Sequence, residues 1–210
     1  MLNADLTYTP DLLEGVTPWP FKGLRRRWYR TILADPPWAF QLHSEAGDRK
    51  SPQQHYACLD LADIQTLPVS GLAHPDGCAL VMWATAPMLP QALATLQAWH
   101  FEFKTMGAWA KQSRRGRRWA FGTGYIFRSA MEPYLVGTRG RTELLSRSVR
   151  NLIIAPTREH SRKPEEMRAD IERLFPGPRV ELFARELAPG WDAWGNETTR
   201  FTSGVGGPQS

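Results

Sequence analysis

The chain has 210 residues, 42% of them hydrophobic and 22% charged, with a formal net charge of +5. That balance suits one globular domain with a real core and argues against a disordered or membrane-embedded chain. The positive charge suits an acidic partner such as nucleic acid. The two cysteines, Cys58 and Cys78, form no Cys-x-x-Cys pair, which argues against a zinc site or disulfide framework.

Residues 1–20 hold Pro10, Gly15, Pro18 and Pro20 without a clear period and read as an irregular N-terminal arm. They carry Asp5, Asp11 and Glu14 and no long apolar core, so no signal peptide is expected. Lys22, Arg25, Arg26, Arg27 and Arg30 follow, interleaved with Phe21, Trp28 and Tyr29. This mixture suits either phosphate contact or the solvated lead-in to a strand.

Residues 31–34 read as a short buried strand, and Pro36 and Pro37 end it. Asp35 is pushed into an extended conformation by the proline after it. A carboxylate is thus held at the carboxyl end of a strand, where ligands bind in open α/β sheets, with the π-face of Trp38 three residues on. A strand followed by an ordinary proline turn is the plainer reading.

A long polar loop spans 41–56 and includes His43 and His55 without metal-ligand spacing. Asp60 is expected to cap a short helix reaching Leu67. Residues 77–84 make a second buried strand, 87–99 a helix with Leu89, Leu93 and Leu96 on one face, and 101–111 a third strand. This β-α-β order implies parallel strands.

Residues 111–118 hold Lys111, Arg114, Arg115, Arg117 and Arg118 with no acid, among Trp109, Trp119, Phe121 and Tyr125. A charge run is usually a solvated face. Cations, stacking rings and glycines together suit a phosphate-gripping loop. Further strands are expected at 134–137, 151–155 and 180–184. A helix with a stripe of Met167, Ile171 and Leu174 should follow Pro164 at its first position. The alternation of strands and helices predicts a three-layer α/β/α sandwich, and 201–210 a flexible tail.

An exocyclic amine on a base is a poor nucleophile, because its lone pair is delocalised into the ring. A carboxylate and a carbonyl that accept its hydrogens favour a pyramidal, more reactive nitrogen. Asp35 and the Pro36 carbonyl can supply those acceptors, Pro36 and Pro37 keep them aimed, and Trp38 can stack on the base. A duplex base must first leave the stack. Walker A and Gly-x-Gly-x-x-Gly motifs are both absent, consistent with a donor lacking phosphates.

Asp35-Pro36-Pro37-Trp38 resembles the signature of the adenine-N6 methyltransferases that include the catalytic subunit of the eukaryotic mRNA N6-adenosine writer and many bacterial and phage enzymes. His55-Tyr56, Met82-Trp83, residues 132–137, 161–166, 171–174 and 181–185, and Trp194-Gly195-Asn196-Glu197 match in the same order. The resemblance spans roughly residues 28–197. It implies a Rossmann-like fold with a permuted, beta-class motif order, one methyltransferase domain over 21–200, and S-adenosyl-L-methionine as donor. By the same resemblance Asp35 touches the amine and the donor's methionine end, and Lys163 lies by the donor. Arg185 would hold the ribose side, and Asn196 and Glu197 the ribose hydroxyls or adenine edge. Tyr56 and Glu132 would sit near the acceptor base, with Arg114, Arg115, Arg117 and Arg118 on the nucleic acid.

There are departures. No Asp-Ile pair stands upstream of the signature, Arg162 replaces the common histidine before the lysine, and Glu197 replaces glutamine. The resemblance implies a cytoplasmic bacterial or phage enzyme acting on DNA, as a monomer or homodimer, without a membrane segment or metal. RNA methylation, cytosine-N4 methylation and a catalytically silent nucleic-acid-binding subunit are the alternatives.

Overall fold

Two apolar runs set the centre of the sheet. Thr31–Ala34 (β1) and Gly77–Trp83 (β2) are buried at every position, as parallel strands covered on both faces must be. They pair in parallel, Thr31 beside Ala79 through Ala34 beside Met82. The computed structural model describes residues 19–38, 60–124, 126–159, 162–198, 200 and 201. Tyr56, the 41–56 loop, Tyr125 and most of the N-terminal arm lie outside them.

Among the described residues the other strands are Glu102–Gln112 (β3), Met131–Gly140 (β4), Leu152–Pro156 (β5), Arg179–Leu182 (β6) and Trp191–Trp194 (β7). The sheet order is β5-β3-β4-β2-β1-β6-β7. Every pairing is parallel except those of β4, which runs antiparallel to both β2 and β3. So β2 and β3 share a direction, as their β-α-β order predicts, but β4 separates them. Helices Leu61–Thr66 (α1) and Leu89–Ala98 (α2) cover one face, where Ile64, Ala92 and Leu96 join Ile32, Leu80 and Leu135. Glu166–Leu174 (α3) covers the other, with Met167 and Ile171 against Leu33, Val81 and Trp109. The result is a three-layer sandwich of Rossmann-like type.

Three local expectations change. Asp60 occupies the N-cap position of α1 but makes no side-chain capping bond. Helix α3 starts at Glu166, two residues beyond Pro164. The closing segment contains a seventh strand: residues 191–194 pair with β6, Arg179 beside Trp191 through Leu182 beside Trp194.

The basic N-terminal segment is a lead-in to β1. Phe21 and Tyr29 are fully buried. The Tyr29 hydroxyl donates to Asp192 at 2.6 Å, and this segment enters the sheet at the end opposite Asp35. Burial first, and then that bond to a carboxylate, raises the Tyr29 hydroxyl pKa far above its usual value.

Candidate active site

Asp35 leaves β1 while still tied to the sheet: its N–H donates to the Leu182 carbonyl at 3.3 Å. The next two residues are prolines, so the chain cannot continue the ladder. The Pro36 carbonyl accepts the Trp38 N–H at 2.8 Å, and the Trp38 indole N–H donates to the Trp83 carbonyl at 3.0 Å. The turn is thereby clamped between β6 and the end of β2. Trp38 is only 5% exposed and packs in the core. It braces the turn and has little free face for stacking on a base, contrary to the reading from sequence. Trp109 is likewise a core residue, its indole bonded to the Ala155 carbonyl at 2.9 Å.

The Asp35 carboxylate meets two cations. Lys163 Nζ lies 2.9 Å from Oδ1 and 3.0 Å from Oδ2, and Arg185 Nη2 lies 3.4 Å from Oδ2. Lys163 also lies 2.9 Å from Glu132 Oε1, while Glu132 Oε2 accepts from Lys111 at 2.7 Å. On the other side, Arg185 Nε is 3.8 Å from Glu197, and Arg200 grips the same carboxylate at 2.8 Å. Charges thus alternate from Lys111 through Glu132, Lys163, Asp35 and Arg185 to Glu197 and Arg200. Strand direction explains the convergence. β1 and β3 end at this edge, whereas β4 runs the opposite way and begins here, so Glu132 sits beside Trp109 in register.

Burial raises the Glu132 carboxyl pKa, but Lys163 and Lys111 outweigh it and hold it down at about 2. Burial depresses the Lys163 ammonium, yet Asp35 and Glu132 win and lift its pKa above the usual lysine range. Both groups are charged at neutral pH. Lys111 was not singled out as a site residue from sequence; its place at the end of a strand inside a basic run was the available signal.

A narrow polar cleft adjoins Asp35, lined by Lys163, Arg185, Glu181, Glu186, Phe183 and Phe201 among others. A larger cavity of about 410 Å³ lies away from it, between α3 and β3–β4, walled by Met106, Val136, Leu144 and Ile171. That one is apolar, and none of the site carboxylates lines it.

The closing segment supplies Asn196, which is exposed, and Glu197, which is half-buried. Gly195 permits that arrangement. A Cβ there would stand 2.7 Å from the Ala184 carbonyl oxygen and 2.8 Å from its nitrogen.

The four arginines occupy a turn beyond β3. The Ser113 N–H donates to the Arg118 carbonyl at 2.7 Å, and the Gly116 N–H donates to the Ser113 carbonyl at 2.7 Å. Gly116 takes the left-handed conformation, with φ of 67°, which suits a residue without Cβ. Arg114, Arg115, Arg117 and Arg118 are all exposed. Trp119 and Phe121 beside them are 61% and 80% exposed. This turn projects from the sheet edge that carries Asp35, two residues past Lys111.

A Rossmann-like sheet with an Asp-Pro-Pro-Trp turn at its carboxyl edge, facing a lysine loop and an Arg/Glu closing segment, defines an S-adenosylmethionine-dependent methyltransferase. The chain belongs to the MT-A70 family, whose model matches residues 29–197. It is 31% identical over 196 residues to the Type II methyltransferase M.MunI of Mycoplasma sp, covering 84% of this chain and 81% of that protein. It is 30% identical over 173 residues to an N(6)-adenosine-methyltransferase MT-A70-like protein of Arabidopsis thaliana, covering 80% of this chain and 24% of the other. The human N(6)-adenosine-methyltransferase catalytic subunit METTL3 is 29% identical over 174 residues, with 80% and 28% covered. The chain therefore spans only about a quarter of those eukaryotic relatives. MT-A70 methyltransferases use S-adenosylmethionine as methyl donor.

Proposed function

We propose that this chain methylates the exocyclic N6 amine of adenine in DNA, acting on a flipped-out or single-stranded base. The observation that carries the reading is the Asp35 carboxylate. It is buried on a proline-stiffened turn, with Lys163 at 2.9 Å and Arg185 at 3.4 Å. DNA is favoured over RNA because the similarity to the Type II methyltransferase runs along 81% of that protein at 31% identity.

The donor set of the cleft fits a sulfonium amino acid. Asp35 suits its ammonium, Lys163 and Arg185 its carboxylate or ribose oxygens, and Glu197, an acceptor only, its ribose hydroxyls, with Asn196 beside it. When bound, the donor supplies the methyl group. The chain's own work is to orient the amine. One N–H is accepted by Asp35 and the other by the Pro36 carbonyl, which keeps a lone pair after bonding Trp38 N–H. Both acceptors are fixed by strand pairing and by the two prolines, so little ordering remains at the moment of reaction. Glu132 and Lys163 flank the acceptor side, and Tyr56, outside the described residues, is assigned to the base by the family resemblance alone. Trp119 and Phe121 offer rings, and the four neighbouring arginines offer charge, for the strand that carries the base.

RNA is the second reading, favoured by the similarity to the N(6)-adenosine methyltransferases. The protein should act as a monomer or homodimer in the cytoplasm of a bacterium or phage-infected cell. The test is incubation with methyl-labelled donor and double-stranded DNA, single-stranded DNA or RNA, followed by nucleoside analysis. Label in N6-methyldeoxyadenosine is expected. Label only in RNA selects the second reading, label in N4-methylcytosine overturns the choice of base, and no label from any polymer leaves a silent subunit.

A further inference from the structure

Behind the Asp35 carboxylate stands a second ionic cluster that the methyl-transfer chemistry does not use. Glu186 sits at its centre. Its Oε2 accepts from Arg162 Nη2 at 2.7 Å, and its Oε1 accepts from Arg168 Nη1 at 2.9 Å. Arg168 also binds Glu181 of β6 at 2.8 Å. Arg162 reaches the exposed Glu159 at 3.3 Å, and its guanidinium covers the Phe201 ring with 5.1 Å to the centroid. All four of Arg162, Arg168, Glu181 and Glu186 are mostly removed from solvent.

The sequence positions give this cluster its meaning. Arg162 immediately precedes Lys163, and Glu186 immediately follows Arg185. Lys163 and Arg185 are the two cations that meet on Asp35. The Arg162–Glu186 pair therefore ties together the same two segments that Lys163 and Arg185 bring to Asp35, one residue before Lys163 and one residue after Arg185. Arg168 adds α3 to the same carboxylate. The loop before α3, α3 itself and the connection after β6 are joined at a single side chain.

We infer that Glu186 is a positioning residue for the donor site: it sets the spacing between Lys163 and Arg185 and keeps the Arg162 guanidinium off Asp35. The inference rests on reading the cleft as the donor site. Without the Glu186 charge, Arg168 retains Glu181, but Arg162 retains only two exposed partners, Glu159 at 3.3 Å and Glu165 at 3.9 Å. A buried guanidinium without a full partner seeks another carboxylate. The other carboxylates lining the cleft are Asp35 and Glu181, and Glu181 is already held by Arg168. Arg162 would thus compete for Asp35 with Lys163, Arg185 and the donor's ammonium.

The test is calorimetric titration with S-adenosylhomocysteine, with donor KM, kcat and melting temperature, for wild type, Glu186→Gln, Arg162→Gln and the double variant. Glu186→Gln should weaken S-adenosylhomocysteine on the order of tenfold, the scale of coupling within one ionic network. Its donor KM should rise by more than its kcat falls. The double variant should bind no worse than Glu186→Gln, because the misdirected guanidinium is gone. Should Glu186→Gln not fold, Glu186→Asp, with a shorter reach to the two arginines, should show the same KM-weighted loss in smaller measure. A lower melting temperature with wild-type affinity makes the cluster purely structural and overturns the inference. So do fully additive losses in the double variant. Wild type that binds no S-adenosylhomocysteine overturns the donor-site reading itself, and the inference with it.

Discussion

At the scale of single residues, the site is governed by how few solvent contacts its charges have. Asp35 is 8% exposed and serves two cations. Removing it takes one carboxylate from Lys163, which keeps Glu132, and one from Arg185, which keeps Glu197. Breaking a buried ion pair costs about 3 kcal/mol or more when no partner remains and less when one does. Asp35→Ala should therefore lose methyl transfer and also lower the denaturation midpoint, whereas Asp35→Asn should lose transfer with a smaller stability loss. Methyl transfer that persists in the folded Asp35→Asn protein would sink the proposed role. Glu132 gives a pH signature. Its folded pKa of about 2 lies below the ordinary 4.5, so its contribution is complete above pH 4.5 and fades as pH falls toward 2. The shift corresponds to about 3 kcal/mol. Denaturant unfolding of wild type and Glu132→Gln should differ by a constant amount above pH 4.5, and the difference should close on acidification. A gap independent of pH down to 2 would show that the Lys111 and Lys163 pairs do not hold that carboxylate. Asp35, Glu132, Lys163 and Arg185 were legible from sequence because each sits in a motif. Lys111, Arg168 and Glu186 were not, because their partners come from remote strands and a charged side chain does not announce whether it faces solvent. Trp109, beside a basic run, and Trp38, beside a carboxylate turn, read as stacking rings because an aromatic beside polar groups looks alike whether it faces in or out.

At the scale of elements, the strands β1 and β2 could be read directly from their unbroken apolar runs. The insertion of β4 between β2 and β3 could not, because adjacency of non-sequential strands is decided by side-chain fit across the sheet. The seventh strand was hidden by its composition: Trp-Asp-Ala-Trp at an edge has too short a pattern to stand out. Its function depends on Gly195. The strand hands over to Asn196 and Glu197 through a backbone approach that leaves no room for a Cβ, the obstacles being the backbone atoms of Phe183 and Ala184. Gly195→Ala must push β7 away from the segment that carries Arg185. Overpacking of this kind costs about 1–3 kcal/mol. The variant should unfold at lower denaturant, and S-adenosylhomocysteine should bind more weakly because Glu197 moves away from Arg185. Unchanged binding in a destabilised variant would place Glu197 outside the donor site.

At the scale of the whole molecule, the net charge of +5 leaves open whether nucleic acid is attracted by total charge or by its placement. Composition alone could not separate two basic stretches that look equivalent in the sequence. The fold does, since it sends them to opposite ends of the sheet. Lys22, Arg25, Arg26 and Arg27 are exposed where β1 begins, with Arg25 over the Trp28 ring and Arg26 over Trp19. Arg114, Arg115, Arg117 and Arg118 are exposed where β3 ends, at the same end of the sheet as Asp35. Neutralising either set to glutamine removes four positive charges, so a long-range field acting on net charge alone predicts equal losses. Contact predicts a difference. Each phosphate neutralised on duplex DNA contributes about 0.9 to the slope of log K against log salt. The 114–118 variant should therefore lose up to about 3–4 units of that slope and bind far more weakly in low salt, whereas the 22–27 variant should keep nearly the wild-type slope. Fluorescence anisotropy with a labelled oligonucleotide over a salt series measures both, and melting temperatures identify any loss caused by the Trp19 and Trp28 contacts. Equal slopes in the two variants would mean that steering, rather than the turn beyond β3, brings the polymer to the site.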